Sequence, residues 1–223
     1  MNWTLAIPPY KEQDLIARIL DRLDTQIRRT EELIAKLEQI KQGLLTDLLT
    51  RGIDENGELR ATPEESPKLY KNSHIGFIPK EWTTKNIGDL GAWKGGSTPP
   101  KGANKFWPDF GTLWVTPKDL NSSVIEDTID KVSPSGISAG GLVLFPAGTV
   151  VVVFRSGILR KRLPVVKVIR EFTVNQDLKG LLPSQSVDPT FVHYLLQGHQ
   201  QNILQACLKA GTTVESIDYR FFS

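Results

Sequence analysis

The sequence has little that would support thiol chemistry, a disulfide scaffold or a place in a membrane. Its 223 residues include one cysteine, Cys207, which excludes a disulfide framework and a cysteine-built zinc site and fits a reducing compartment. No apolar run approaches the roughly 20 residues that a membrane-spanning helix needs. Residues 1–7 lack the basic start and apolar core of a signal peptide. We therefore expect a cytoplasmic protein with no membrane association.

Signs of catalysis are also scarce. Pro8-Pro9-Tyr10 is similar to part of an amino-methyltransferase motif, but Ile7 stands where that motif needs a polar side chain, and no loop for a methyl donor accompanies it. His193 and His199 are six positions apart on one predicted helix, so they face different directions and do not indicate a metal site. The net charge of +2 is too small to indicate nucleic-acid binding without local patches. No catalytic residue or metal ligand is predicted.

The sequence does contain one long helical segment, from Pro8 to about Thr50. After Pro9 it has no proline and a single glycine, Gly43. Its apolar residues recur at alternating steps of four and three, the pattern of a helix that lies against another helix. The seam residues predicted to pair are Ile16, Leu20, Leu23, Ile27, Ile34, Leu37, Leu44 and Leu48. Thr30 and Lys41 interrupt the seam, which favours a short antiparallel pair. Such a helix is roughly 60 Å long.

The composition changes after this helix, and we predict an α+β fold. Residues 1–52 would form a short strand at 5–7 and the long helix, residues 53–73 a linker, and residues 74–223 a mostly-β domain with a C-terminal helix. Short apolar runs between Gly and Pro turns predict the strands. They lie at 112–116, 142–145, 149–154, 164–169 and 172–182. Asp188-Pro189 predicts the start of a helix over 190–210, closed by Gly211.

Several motifs together resemble the specificity subunit of type I restriction-modification systems. The opening and the far end of the long helix match, and five further motifs follow in the family's order. These segments are Pro8-Pro9-Tyr10-Lys11-Glu12-Gln13, residues 16–20, 37–45 and 75–82, the loop Gly95-Gly96-Ser97-Thr98-Pro99, Trp114 with Asp119, and residues 173–180 and 211–214. Each motif is weak by itself, but the ordered set is specific to this family.

The resemblance implies recognition rather than a reaction. Each recognition domain of such a subunit reads one half of a split sequence in double-stranded DNA. The conserved helices space the two halves and dock methyltransferase subunits, and restriction subunits join that assembly. S-adenosylmethionine, ATP and magnesium would belong to the partner subunits, so this chain would hold no cofactor and would not be an enzyme.

Two cation-bearing loops are the predicted DNA contacts. Cations beside aromatic residues suit phosphate positioning, and Arg, Ser and Thr can reach base edges. Four cations in positions 155–162 would need a counter-charge, which DNA could supply. The predicted contacts are Lys94, Ser97, Thr98, Lys101, Lys105, Arg155, Ser156, Arg160, Lys161 and Arg162. The alternative is that these are ordinary solubilising loops; for the tryptophans beside them, packing in the core is favoured.

The resemblance also implies a partner for the helix. A full-length member would carry two recognition domains and two antiparallel helices, whereas this sequence has one of each. We therefore expect a half-length form whose second helix comes from a second copy or from another specificity polypeptide. In an antiparallel dimer, residues 5–7 would complete the partner's sheet after Tyr219-Arg220-Phe221-Phe222. The alternative is a fragment of a longer subunit.

A different class of function stays open at this stage. The chain could be a coiled-coil assembly adaptor, or a truncated and non-functional remnant, whose β domain binds protein rather than DNA. DNA binding that weakens steeply with salt would separate recognition from this alternative.

Overall fold

A computed structural model describes residues 3–209 and 214–222, and the chain divides into two compact units, one up to Leu48 and one from Leu49. The helices are α1 (Tyr10–Thr50), α2 (Pro134–Gly140), α3 (Pro189–Gly198), α4 (Gln200–Cys207) and α5 (Tyr219–Phe222). The strands are β1 (Tyr70–Ser73), β2 (Gly76–Pro79), β3 (Gly91–Gly95), β4 (Thr112–Val115), β5 (Val124–Ile125), β6 (Asp130–Val132), β7 (Thr149–Val153), β8 (Val165–Val168), β9 (Phe172–Val174), β10 (Leu178–Pro183), β11 (Leu208–Lys209) and β12 (Ser216–Ile217). Short 3-10 helices lie at Pro67–Leu69, Ile87–Leu90, Asn104–Phe106, Pro117–Asp119 and Gly157–Arg160.

Helix α1 confirms the predicted long helix with 41 residues. Its charged outer face contains the expected pairing between neighbouring turns, since Arg18 and Asp14 form an ion pair with 2.7 Å between Nη2 and Oδ2. Every predicted seam residue is exposed in this chain, from 42% at Leu48 to 56% at Ile27. The helix therefore presents an uncovered apolar stripe.

Residues 3–9 form no regular secondary structure. Trp3, Leu5 and Ile7 are exposed, at 90%, 75% and 73%. The strand predicted at residues 5–7 was expected to pair with a second chain, so its exchange between chains stays a prediction.

The segment predicted as a linker, residues 53–73, is partly folded. Helix α1 is followed by Gly52 with a φ of +64°, the left-handed conformation typical of a helix C-cap. The Arg60 guanidinium donates to the Arg51 carbonyl and to Glu81, at 3.1 and 3.0 Å, and the Tyr70 hydroxyl donates to the Ala61 carbonyl. Strand β1 pairs with β2 as a hairpin. Polar side chains from distant positions hold this segment together. Such contacts produce no hydrophobic periodicity in the sequence, so the sequence pattern did not predict the fold of residues 53–73.

Two sheets form the core of the second unit. The larger has the strand order β3-β10-β7-β8-β5 and the smaller the order β6-β4-β9. In the larger sheet the first three pairings are antiparallel and β8 pairs with β5 in parallel; β4 pairs with β9 in parallel and with β6 antiparallel. Val150, Val151, Val152 and Val153 are fully buried, so both faces of β7 are covered. Phe145 stacks on Phe172 at 5.1 Å between ring centroids.

Three expected boundaries are wrong in detail. The predicted strand at 142–145 is reduced to a single bridge between Phe145 and Phe172. The predicted strand at 172–182 is divided into β9 and β10, in different sheets, because the Asn175 side chain accepts from the Asp177 N–H and forms a turn. The C-terminal helix is interrupted at His199, between α3 and α4, and its predicted end at residues 210–211 lies outside the described residues.

Hydrophobic packing extends to the last described residues. Phe222 is 1% exposed and meets Trp93 and Phe154 edge-on, at 5.1 and 4.9 Å between ring centroids. Phe221 points away and is 71% exposed. Cys207 is 4% exposed, and burial raises the pKa of its thiol. Of the two terminal aromatic side chains, one is thus covered and the other is exposed.

We predict that Phe222→Ala lowers the free energy of unfolding by about 3–5 kcal/mol, because it leaves a cavity against Trp93 and Phe154. Phe221→Ala is the matched control and should change it by less than about 0.5 kcal/mol. Urea denaturation followed by tryptophan fluorescence measures both. Equal effects of the two substitutions would contradict this packing.

Candidate nucleic-acid interface

The two predicted loops meet at one end of the five-stranded sheet. Strand β3 ends at Gly95 and β7 ends at Val153, so the loops that follow both leave from this end. Strand β10 starts there as well, and the turn 175–177 leads into it. The strand order places β10 between β3 and β7. The turn 175–177 therefore lies between the two loops, an arrangement that the sequence did not reveal.

The loop after β3 is held against β9 and the turn. A Cβ on Gly96 would lie 1.7 Å from the Val174 carbonyl oxygen, so only glycine allows this approach. The Thr98 hydroxyl donates to Gln176 Oε1 at 2.7 Å. The Ser97 hydroxyl donates to the Gly140 carbonyl at 2.6 Å, and Trp114 Nε1 donates to the Ser97 carbonyl. Ser97 and Thr98 were both predicted to contact DNA. Their hydroxyl groups instead donate hydrogen bonds within the chain, to Gly140 and Gln176.

The three lysines predicted on this side differ in their charge environment. Lys101 Nζ lies 2.7 Å from Asp130 Oδ2 and 3.6 Å from the centroid of the Trp107 ring. Lys105 Nζ lies 5.2 Å from the centroid of the Phe106 ring. Lys94 is exposed on the edge strand β3. The charge of Lys101 is therefore balanced within the chain, whereas those of Lys94 and Lys105 face no carboxylate within 4 Å among the described residues.

Most of the tryptophans near these loops belong to the core, as the sequence favoured. Trp93 is 6% exposed and Trp114 4%, and Trp107 is partly buried against Trp114 with 4.8 Å between ring centroids. Asp119, from the same resembling motif as Trp114, accepts from Thr116 N and Oγ1 and from Ile129 N. Its role here is to fix the loop between β4 and β6.

The arginines of the second loop have partners inside the chain. Arg155 Nε lies 3.2 Å from Asp177 Oδ1, and Arg160 Nε lies 2.5 Å from Glu215 Oε1. The sequence analysis expected these cations to need a counter-charge from outside the chain. That expectation is wrong for Arg155 and Arg160, because each lies against a carboxylate of the same chain. The two acids are distant in sequence, so the local pattern did not reveal them. Their contact with DNA stays a prediction.

The rest of that loop is more open to a ligand. Arg162 Nη2 donates to the Leu120 carbonyl at 3.2 Å, and Lys161 is exposed. Ser156 caps the 3-10 helix Gly157–Arg160, since its hydroxyl accepts from Ile158 N at 3.4 Å. Of the predicted contacts in this loop, Lys161 is the cation that faces no internal acid or carbonyl in the described part of the chain.

The segment around β12 is tied to this loop. Ser156 N donates to the Glu215 carbonyl at 3.1 Å, and Arg155 forms a β-bridge with Ser216. The hydrogen bond from the Arg160 side chain holds the pKa of Glu215 below its ordinary value. Glu215, Asp177 and Gln176 are three polar residues of this site that sequence reasoning missed. Residues 173–180 were one of the motifs that resemble the family, but that motif did not mark Gln176 or Asp177 as site residues, and no sequence signal pointed to Glu215.

The comparisons with known proteins agree with this architecture. A family model described as the type I restriction modification DNA specificity domain matches residues 79–222, more than half of the chain. The chain belongs to this family. The resemblance found in the sequence is thereby confirmed, and so is the fold class of a long helix followed by a mostly-β domain with a C-terminal helix.

Two curated members of the specificity family show the extent of the match. The specificity subunit of the type I restriction enzyme EcoR124I/EcoR124II of Escherichia coli is 30% identical over 149 residues, covering 67% of this chain and 37% of that protein. The MjaIX specificity subunit of Methanocaldococcus jannaschii is 28% identical over 151 residues, covering 65% of this chain and 33% of that protein. The chain thus matches about a third of the length of these relatives.

A solved structure has the same fold as this specificity-family chain. It comes from a study of complex assembly and conformational transition of the type I restriction-modification system, and it aligns with a TM-score of 0.52 at 15% identity. The alignment covers 97% of this chain and 46% of the other.

Among the described residues, none of the helices has the length and hydrophobicity of a membrane span.

We predict a pH-dependent effect of Glu215→Gln. Because the folded-state pKa of Glu215 is lowered, its stabilising contribution is present above the ordinary value of about 4.3 and is lost as pH falls through the lowered pKa. The variant should therefore be less stable than wild type near pH 7, and the difference should shrink towards pH 3. Urea denaturation at a series of pH values measures it.

The control is Glu64→Gln, an exposed glutamate in a turn, which should leave the free energy of unfolding within about 0.5 kcal/mol at every pH. If the free energies of unfolding of the wild type and Glu215→Gln differ by the same amount from pH 7 to pH 3, the ion pair with Arg160 is not formed.

Proposed function

We propose that this chain acts in DNA sequence recognition for a type I restriction-modification system, with its β domain reading one half of a split target. The observation that carries this proposal is the convergence of two cation-bearing loops and a polar turn at one end of a single sheet, in a chain that belongs to the specificity family. Nucleic-acid readers need both phosphate-positioning cations and polar groups for base edges, and this end of the sheet offers both.

The residues divide into two roles under this proposal. Lys94, Lys105 and Lys161 are the predicted contacts whose charges have no carboxylate partner within the described chain, so they suit phosphates. Gln176 is exposed, and its Oε1 accepts from Thr98, which leaves its amide N–H groups to donate to acceptor atoms on base edges. The side chains of Arg155 and Arg160 are 62% and 67% exposed, so each could contact phosphate with guanidinium N–H groups other than the Nε–H that faces Asp177 or Glu215.

The chain's contribution is recognition and assembly rather than catalysis. We propose that methyltransferase and restriction subunits dock on the specificity subunit and that S-adenosylmethionine, ATP and magnesium are bound by those partners. The family assignment supports this division of labour, because a specificity domain is the matched unit.

We also propose that α1 pairs with a second helix of the same kind through its apolar seam, in an antiparallel arrangement. The second helix would come from another copy of this chain or from another specificity polypeptide. Eight apolar side chains at seam spacing, each about half exposed, support this pairing, because an isolated helix gains little stability without a covered face.

The first test measures binding of a mixed-sequence DNA duplex by the chain together with a methyltransferase subunit, across a series of salt concentrations. We expect the logarithm of the binding constant to fall linearly with the logarithm of salt concentration, by about 0.9 for each phosphate contact. Lys161→Gln should weaken binding and reduce that slope by about one contact. Lys71→Gln, an exposed lysine on β1, is the matched control and should change neither.

Binding that is absent or independent of salt, with and without the methyltransferase subunit, would overturn DNA recognition. That result would favour the adaptor alternative, to which the internal ion pairs of Arg155 and Arg160 already lend some weight.

The second test addresses the helix seam. We expect the wild-type chain to sediment as a dimer at micromolar concentration and the double variant Leu20→Glu, Ile27→Glu to sediment as a monomer, because charges in the seam oppose helix pairing. Arg22→Ala with Arg29→Ala, on the outer face, is the control and should remain dimeric. A monomeric wild type whose α1 resists proteolysis would contradict the pairing.

A further inference from the structure

We propose that Lys179 is the centre of an oxyanion site at the end of the five-stranded sheet that takes a phosphate of the DNA backbone. This inference rests on the proposed function, and it adds Lys179, which the sequence analysis placed in a family motif but did not select as a DNA contact. It also shifts the main phosphate contact from the arginine loop to the strands.

The strand register places Lys179 at the end of the sheet where the two loops leave. It lies on β10 opposite Gly95 of β3 on one side and opposite Val152 of β7 on the other. Because successive residues of a strand point to opposite faces, Lys94, which is paired with Gly180, leaves from the other face of the sheet. A Cβ at Gly95 would lie 3.9 Å from Lys179 Nζ, so the ammonium group lies over this glycine, beside the start of the loop after β3.

The floor of the site is aromatic rather than acidic. Lys179 Nζ lies 4.8 Å from the centroid of the Tyr219 ring and 5.4 Å from that of Phe154. Cation–π contacts of this kind hold an ammonium group in place without neutralising its charge. Tyr219 and Phe154 are fixed in turn by the packing around Phe222.

The contrast with the neighbouring cations is the main argument. Arg155, Arg160 and Lys101 each have a carboxylate within 4 Å, at Asp177, Glu215 and Asp130. In the part of the chain that the structure describes, no carboxylate lies within that distance of Lys179 or Lys94. The ammonium group of Lys179 therefore carries a charge that a phosphate at this end of the sheet could balance.

The electrostatics of Lys179 agree with an anion site. Burial lowers the pKa of Lys179, and the positive charge of Lys94 lowers it further. Both effects disfavour the charged form of Lys179, and an oxyanion beside its ammonium group would favour that form. The alternative is that Lys179 only packs its aliphatic stem on Tyr219, which requires no charge.

The experiment separates charge from packing with two substitutions. Lys179→Met keeps an unbranched apolar stem over Tyr219 and removes the charge, whereas Lys179→Arg keeps the charge. Duplex binding with a methyltransferase subunit should weaken about eightfold at 0.1 M salt for Lys179→Met, because one released counterion is lost, and the salt slope should fall by about 0.9. Lys179→Arg should retain both values, and Lys71→Met is the surface control.

A second measurement does not depend on DNA. Sodium phosphate should raise the thermal unfolding midpoint of the wild type above that in sodium chloride of equal ionic strength, and by more than it raises the midpoint of Lys179→Met. Phosphate stabilises folded proteins in general by exclusion from their surface, so only this excess reports binding at Lys179. Lys179→Met that equals the wild type in both measurements would overturn the oxyanion site. A wild type that ignores duplex DNA but responds to phosphate more than Lys179→Met would overturn the proposed function and leave the site standing.

Discussion

The close approach of Gly96 to the Val174 carbonyl is the contact on which the arrangement of the candidate interface depends. It brings the loop after β3 onto the end of β9, and from there Thr98 reaches Gln176 across the turn 175–177. On the other side of the same turn, Asp177 meets Arg155. The turn also supplies a shared acceptor, since the Asp177 carbonyl accepts from the N–H groups of Phe154 and Arg155. A side chain at position 96 would separate the two loops.

The charges at this end of the sheet are arranged in two classes. Arginines lie next to acids from distant segments and act within the domain, where they join the loop after β7 to the turn 175–177 and to β12. Lys94, Lys105 and Lys161 have no carboxylate within 4 Å in the described residues, whereas Lys101 is paired with Asp130. A simple count of cations along the sequence cannot make this distinction, because ion pairs close over long stretches of chain. Only 13% of the Glu215 side chain is exposed and its carboxylate lies against Arg160, so this pair is part of the folded domain, and the hydrogen bond from Arg160 lowers the pKa of Glu215.

The sequence was informative where periodicity or a local signal governs the structure. The helix α1, the valine strand β7 and the start of α3 at Asp188-Pro189 follow from local patterns, and the family resemblance followed from ordered motifs. The division of 172–182 between two sheets and the fold of residues 53–73 depend on side-chain hydrogen bonds of Asn175 and Arg60, which have no periodic signature. The predicted loops were brought to one end of the sheet, but Lys179 was overlooked because it stands alone inside a strand.

Asp177 and Glu215, which pair with Arg155 and Arg160, have a consequence for DNA recognition under the proposed function. The recognition domain would have to find its target among a large excess of non-target DNA. Because Asp177 and Glu215 partly balance the charges of Arg155 and Arg160, a single recognition domain would bind an arbitrary duplex less tightly than a domain with unpaired arginines would. High affinity would then require two recognition domains that bind the same DNA molecule. Once the first domain is bound, the second binds from a high local concentration. Such avidity would favour DNA in which both half-sites are present at the correct spacing. From all other DNA the protein would dissociate quickly.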